Sequence, residues 1–455
     1  MKKQIFKNKA SIIIFFSILG FIITGIVSYP FAADYDSGHM ISSMISDGHP
    51  RLTDWLGWYY PSLCFLLYKI TGIELAVGIF QNILYWISVC LFSLALYRKA
   101  KHCFLWFILT AFFPGSLSLI TNVANNALLF ANTFFGISLY IFYHKVYHKR
   151  LLGFFAFFVT LLSIFIRREA IIYVPLLLVG MVIVELLSRG IHIRKAIIYS
   201  LSSTFAFLAI ILIAEKLLTN NVKDYHAINS IDFIAMYDMN GMSHYKNEIV
   251  FPISVLKKEY QNKDTITTLI QRDSDVFEND YASFWYHNLS TKTFLVKIDN
   301  KFSTYLGNIK YYIMFRGKMI KDYLYMSMLN FCGGVKIKTK EIEPSKLYYI
   351  FASLPIILGI SYNFLACSII MLILSIKKII PYSSHFHYAV CSGIWILLIL
   401  SFIMYLFSAT SLQIRYIYPT CIFIFYLFTY SISLFVERYK ITPHNTKEQV
   451  KQKNK

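Results

Sequence analysis

Residues able to move protons or hold an anion gather at a few places in this sequence. The run Pro30-Phe31-Ala32-Ala33-Asp34-Tyr35-Asp36-Ser37-Gly38-His39 is followed by Asp47-Gly48-His49 and by Thr53-Asp54-Trp55. Carboxylates and imidazoles at this density suit general acid–base work. A partly desolvated carboxylate has a raised pKa and can accept a proton from a hydroxyl nucleophile. Asp-x-Asp alone also describes a solvated polar loop, so position has to decide between the two. A second set is cationic: Arg167-Arg168-Glu169 and Arg415-Tyr416 stand at the borders of apolar runs. A guanidinium binds phosphate or carboxylate through a planar bidentate fork; the alternative is snorkelling to lipid headgroups.

The chain that must position these groups has 455 residues, of which 57% are hydrophobic, 18% aromatic and 15% charged. Soluble domains carry about 25% charged residues, and the mean hydropathy here is +0.54. A soluble enzyme, a coiled coil and a disordered chain are all excluded. The formal charge is +20, but the bases stand in short clusters between apolar runs, a pattern of membrane orientation and not of nucleic-acid binding. Cys64, Cys90, Cys103, Cys367, Cys391 and Cys421 fall in or beside apolar segments and only Cys332 lies in a polar stretch, which excludes a disulfide framework or zinc site.

A helix needs roughly 20 apolar residues to cross a bilayer. That ruler predicts an all-α polytopic membrane protein of about ten spans, at 10–30, 73–97, 104–121, 125–143, 151–166, 170–188, 196–214, 350–376, 387–409 and 416–436. The first, preceded by Lys2, Lys3, Lys7 and Lys9, is expected to be an uncleaved anchor, since no small-x-small site follows it. Basic clusters at Arg98–Lys101, Lys145–Arg150, Arg189–Lys195, Lys377–Lys378 and from Arg438 onward fall at alternate ends of successive spans. All can be cytoplasmic together, with both termini.

The remaining connections then face outward. The divisions are an N-terminal transmembrane module 1–214 with the catalytic candidates in its first outer loop 31–57, a mainly helical extracytoplasmic domain 215–349, a C-terminal transmembrane module 350–436 and a basic tail 437–455. Trp58–Gly72 is too short to cross and reads as a helix in the outer interface. Within 215–349, helical patterns lie around Ile228–Met239 and Lys292–Arg316. Glu74 and Glu185, near span ends, read as snorkelling groups. His226, His244 and His287 lack ligand spacing. No phosphate-cradling glycine loop, nucleotide fingerprint or nucleophile elbow occurs, which argues against a nucleotide-powered enzyme.

The layout resembles the GT-C superfamily of integral-membrane glycosyltransferases. The resemblance rests on Asp34-Tyr35-Asp36 after the first span, then Thr53-Asp54-Trp55, Tyr60-Pro61 and the interfacial Trp58–Gly72 stretch. Arg415-Tyr416-Ile417-Tyr418-Pro419 looks like an Arg-Tyr-x-x-Pro signature opening a late span, and Asp232–Met242 with Phe284-Trp285 is similar to the outer region of bacterial members. One departure stands out. Related proteins often carry an aspartate before the fourth span, after a third span containing proline; here Pro114 is followed by Asn122-Val123-Ala124-Asn125-Asn126. No metal and no other cofactor is therefore expected.

What the resemblance implies is transfer of a sugar from a polyprenyl-phosphate carrier to an envelope glycan, an O-antigen or lipid-linked saccharide of the lipopolysaccharide type, at the outer face of a bacterial inner membrane. Asp36 is the first choice for general base, with Asp34 and Asp54 behind it. Arg415, Arg167, Arg168, Tyr416 and His39 are the candidates for the lipid phosphate. Tyr59, Tyr60 and Trp55 are the acceptor-side candidates. The expected partners are the donor, a glycan or glycolipid acceptor and membrane lipids, with no nucleic acid. Two rivals are an O-antigen polymerase or ligase and a polysaccharide transporter or flippase. The second predicts inverted repeats and broken helices, and no repeat is visible.

Overall fold

The computed structural model describes residues 2–29, 31–33, 35–50, 57–97, 111, 120, 122–167, 170–220, 230–251 and 300–318. The expected spans at 350–376, 387–409 and 416–436, most of 104–121, and the tail 437–455 lie outside these residues. The described part is almost wholly helical. Its elements are α1 (Lys2–Ser28), β1 (Ala32–Ala33), α2 (Tyr35–Asp47), α3 (Tyr59–Thr71), α4 (Ala76–Tyr97), β2 (Asn122–Val123), α5 (Asn125–Lys145), α6 (Arg150–Leu162), α7 (Ala170–Ser188), α8 (Ile193–Asn220), α9 (Ser230–Lys246) and α10 (Lys301–Gly307).

Among the described residues, four helices are long and apolar enough to cross a membrane: Ala10–Ser28, Ala76–Ala95, Asn125–His144 and Ile193–Ile213. At 19–21 residues each, they match the roughly 30 Å of a hydrocarbon core at about 1.5 Å per residue. The shorter apolar helix α6 runs on through a 3-10 turn at Ser163–Phe165. These helices pack as sequence neighbours, with α4 between α1 and α5, α6 against α5, and α7 between α6 and α8. The chain is a helical, membrane-associated protein.

Composition explains the layering. Phe15, Ile18 and Ile26 of α1 and Phe205, Ile210 and Ile213 of α8 are large apolar side chains turned outward, a surface suited to lipid and not to water. Helices in lipid gain nothing from burying one apolar face on another, so close packing and buried polar contacts hold them. Gly20 lets α1 approach the Trp86 ring, which a Cβ there would overlap. Beside it the Trp86 indole N–H donates to Thr24 Oγ1 at 2.8 Å, and Thr24 donates to Asn82 Oδ1 at 2.9 Å. Between α5 and α6, Asn132 donates to Val159 O at 2.8 Å and Ser163 Oγ at 3.0 Å, while Thr133 donates to the same Oγ at 2.9 Å. Each such contact contributes roughly 0.6–2 kcal/mol.

Glu185 is held by its neighbours. Arg189 grips its Oε1 from Nε at 3.0 Å and Nη2 at 2.7 Å, and the Tyr143 hydroxyl donates to Oε2 at 3.1 Å. The carboxylate thereby ties α7 to the last turn of α5.

Candidate functional site

The end of the bundle opposite Glu185 holds the described candidates Tyr59, Tyr60 and Arg167, and the connection out of α1 begins it. Phe31 takes a left-handed backbone, φ 70°, and its amide donates to Ser28 O. Its buried ring lies against Gly78, whose missing Cβ leaves room for it. The next two residues form β1, which pairs in parallel with β2, Ala32 opposite Asn122 and Ala33 opposite Val123. This short bridge joins segments some ninety positions apart. It sets the start of the acidic run beside the residues that open α5.

The segment after β1, expected to be loop, folds as the helix α2. Ser37, Met40, Ile41 and Met44 are its buried positions, an i, i+3, i+4, i+7 stripe that gives the helix a face to bury. Asp36 stands in the first turn, placed by its backbone, where a carboxylate is favoured by the helix dipole. His39, one turn on, is exposed. Asp34, Asp54, Trp55, Arg168, Arg415 and Tyr416 lie outside the described residues.

The stretch expected to lie in the interface folds as the helix α3, against which α2 packs. Pro61 falls in its first turn, where the missing N–H loses no intrahelical bond. Gly72 ends the helix in the left-handed region, φ 70°, with its amide donating to Tyr68 O at 2.7 Å. Of the two tyrosines proposed for the acceptor, Tyr60 is completely buried and packs into the core, whereas Tyr59 is half-buried. Burial pushes the Tyr59 phenol above its ordinary pKa, so it remains a neutral donor at physiological pH. Just before α3, Gly57 runs against the backbone carbonyl of Phe165 so closely that a Cβ would overlap it. The Trp58 ring lies 5.4 Å from the Phe165 ring.

Arg167 completes the cluster. It follows the 3-10 turn after α6 and is only 8% exposed. Its Nη1 donates to Asn126 Oδ1 in a short contact and to Asn125 Oδ1 at 3.4 Å. The Asn122–Asn126 stretch is thus the one that receives the arginine. Both ends of the 31–57 connection, the Asn122–Asn126 turn and the Phe165–Arg167 turn share one end of the bundle. Chemically, the described residues present a buried guanidinium that donates to two amide oxygens.

A second polar centre was not foreseen. In α9 and the helical segment 309–318, Asp238 Oδ1 lies 2.6 Å from Arg316 Nη2, the two side chains 1% and 4% exposed. The Tyr305 hydroxyl of α10 donates to Asp238 Oδ2 at 2.7 Å. Burial raises the Asp238 carboxyl to about 6 against the lowering effects of Arg316 and Tyr305. Burial and the neighbouring carboxylate push the Tyr305 phenol well up. The sequence carried a signal for this pair: Ala235, Asp238, Met239 and Met242 form one buried stripe, and a carboxylate on an apolar stripe requires a partner.

Among the described residues no group of His, Cys, Asp and Glu is arranged to hold a metal ion. No family model, curated protein or solved structure matches the chain.

Proposed function

We propose that the protein is a multi-pass glycosyltransferase of the GT-C type in a bacterial inner membrane. In this reading both termini are cytoplasmic and the β1–β2 end of the bundle faces outward. The donor is a polyprenyl-phosphate-linked sugar and the acceptor an envelope glycan or glycolipid. The observation that carries the reading is the β1–β2 pairing: Ala32 and Ala33, which precede the acidic run in sequence, lie against Asn122 and Val123, which precede the Asn125–Asn126 turn contacted by the buried Arg167.

The reaction needs a base and an anion stabiliser. Asp36, or Asp34 in its place, takes the proton from an acceptor hydroxyl as that oxygen attacks the anomeric carbon. The bond from the anomeric carbon to the phosphate oxygen breaks, and the lipid phosphate leaves with the electron pair. Attack opposite to the leaving group inverts the anomeric centre. Arg167, with Arg168 and Arg415, stabilises the growing phosphate charge, a preorganised electrostatic contribution. A phosphate met by guanidinium groups needs no metal for that step. Tyr59 lies on the acceptor side, where its neutral hydroxyl donates to sugar oxygens.

The test is sugar incorporation from a labelled polyprenyl-phosphate sugar in membranes, with protein levels matched by blot. Asp36→Asn is expected to lower incorporation by about 100- to 10,000-fold, the span of general-base contributions. Full incorporation by Asp36→Asn, Asp34→Asn and the double variant would reduce the pair to a polar surface and make Asp54 the leading carboxylate. Glycan analysis of a deletion strain separates the transferase from a polymerase: loss of one branch sugar supports the first, shortened chains the second.

A further inference from the structure

We infer that the turns 146–149 and 189–192, with the first residues of α6 and α8, form a binding site for an anionic phospholipid, and that a lipid with two phosphates fits it best. The inference stands on the membrane helices alone and is independent of the sugar-transfer reading. Both turns close the same end of the bundle: α5 ends at Lys145 and α6 starts at Arg150, while α7 ends at Ser188 and α8 starts at Ile193. Arg150 and Ile193 each open an apolar helix, so the bases beside them stand where the chain enters the headgroup layer.

The two turns are locked to each other. Tyr143, in the last turn of α5, donates to Glu185 Oε2 at 3.1 Å, and Arg189 grips Oε1 of the same carboxylate. Gly153, one turn into α6, lies against the Tyr143 ring, where a Cβ would stand 2.9 Å from it. Gly190, φ 80°, turns the chain out of α7, and its amide donates to Leu187 O at 3.0 Å. Farther along, the Phe157 ring of α6 meets the Phe207 ring of α8 edge to face at 6.0 Å. The starts of α6 and α8 are thus parts of one framework. On it Lys149, Arg150, Arg194 and Lys195 are exposed.

Each pair of bases stands at the foot of an apolar face. Phe154 and Phe158 follow Arg150 at i+4 and i+8, and Ile198 and Leu201 follow Arg194 at i+4 and i+7; all four are exposed. Residues so spaced share one side of a helix. The exposed Tyr147 ring, with Lys149 Nζ 5.3 Å from its centre, adds the aromatic group typical of the interface. A cationic foot below an apolar face matches the division of a phospholipid into phosphate and acyl chains. Two such feet on touching helices match two linked phosphates, and the guanidinium of Arg150 and of Arg194 can meet a phosphate through a bidentate fork.

The experiment measures lipid retention by the purified full-length protein, using native mass spectrometry with added diphosphatidylglycerol, phosphatidylglycerol and phosphatidylcholine. A base near a headgroup contributes about 5-fold in affinity, so three contribute about 100-fold. Wild type is expected to prefer diphosphatidylglycerol over phosphatidylcholine by about that factor, with phosphatidylglycerol between them. The triple variant Arg150→Gln/Arg194→Gln/Lys195→Gln should lose most of the preference, whereas Lys301→Gln/Lys310→Gln, which removes bases elsewhere, should keep it. Should the triple variant fail to accumulate, each single variant is expected to lose about 5-fold. Wild-type preference in the folded triple variant, or in all three single variants, would overturn the site. So would an equal loss in Lys301→Gln/Lys310→Gln, which would make the effect one of overall charge. Wild type that does not distinguish anionic from zwitterionic lipid, or whose bound lipid is displaced by inorganic phosphate at equal concentration, would overturn it as well.

Discussion

Replacing Arg316 by methionine is expected to loosen the α9 pairing severely at neutral pH and much less in mild acid. The side chain removed is 4% exposed and faces a carboxylate that is 1% exposed. Taking one partner from a buried pair costs about 3–5 kcal/mol, because the remaining charge has neither water nor counter-ion. What remains to Asp238 is the Tyr305 hydroxyl. The sign of the pH dependence follows from the raised carboxyl, about 6 against an ordinary 3.8. Protonation therefore favours the folded state: its contribution is complete below about pH 4 and is lost as pH rises through about 6. In wild type this amounts to roughly 1–2 kcal/mol between about pH 5 and about pH 7.5. Without Arg316 the main group lowering the carboxyl pKa is gone, so the titration moves upward and acid restores the variant. Hydrogen exchange of the full-length protein in nanodiscs, corrected for intrinsic rates, reads this directly. Loss of about 3 kcal/mol is a loss of about 100-fold or more in protection across Ser230–Lys246. The double variant Asp238→Leu/Arg316→Met should recover most of it, since well-packed apolar replacements of buried pairs are often neutral or better. Wild-type protection in Arg316→Met at about pH 7.5, or a deficit that acid leaves unchanged, would refute the reasoning.

Gly57→Ala forces the chain away from the Phe165 carbonyl; with no room at a backbone contact the change is expected to cost about 1–3 kcal/mol, seen as a lower melting temperature and lower transfer activity. Arg415→Lys keeps the charge but loses the planar fork, so membrane insertion should be normal and sugar incorporation greatly reduced; near-normal incorporation by Arg415→Ala would return this residue to headgroup snorkelling. Reporter fusions after Asn126, Glu169, Gln261 and Gln413 should report an outer location and fusions after Lys101, Arg150 and Arg194 an inner one. An inner location at Gln261 would remove the extracytoplasmic domain and the lipid-carrier mechanism with it.

The membrane helices were legible because their ends are chemically abrupt. The apolar run expected at 73–97 is α4, Ala76–Tyr97, and that at 125–143 is α5, Asn125–Lys145; the run at 170–188 is helical as α7, but its apolar part, Leu177–Ser188, is shorter than a span. The stretch Trp58–Gly72 is helical as α3, Tyr59–Thr71, closed by Gly72. What escaped was structure whose signal is weak or non-local. Ser37, Met40, Ile41 and Met44 carry a helical stripe, but the surrounding Asp, Gly and His residues draw attention to chemistry and away from periodicity. A two-residue strand pair such as Ala32–Ala33 with Asn122–Val123 has no repeating pattern at all, so nothing local announces that the acidic segment meets the start of α5. Asp238 was readable in principle, as a charge on a buried stripe, yet naming Arg316 as its partner requires the tertiary contact.

The two ends of α5 show how polar contacts from distant segments set a helix in place. At one end Glu185 is gripped by Arg189 through two short contacts and further held by Tyr143, so the carboxylate joins α7 to the last turn of α5. At the other, the buried Arg167 donates to the amide oxygens of Asn125 and Asn126, which joins the turn after α6 to the first turn of α5. The strand that leads into that first turn is itself paired with the strand after α1, Ala32 opposite Asn122 and Ala33 opposite Val123. Polar contacts between membrane helices hold where apolar burial gives no driving force, and here they are concentrated at the two helix ends. The start of α5 is therefore the point at which the segment after α1 and the segment after α6 meet, although the two lie far apart in sequence.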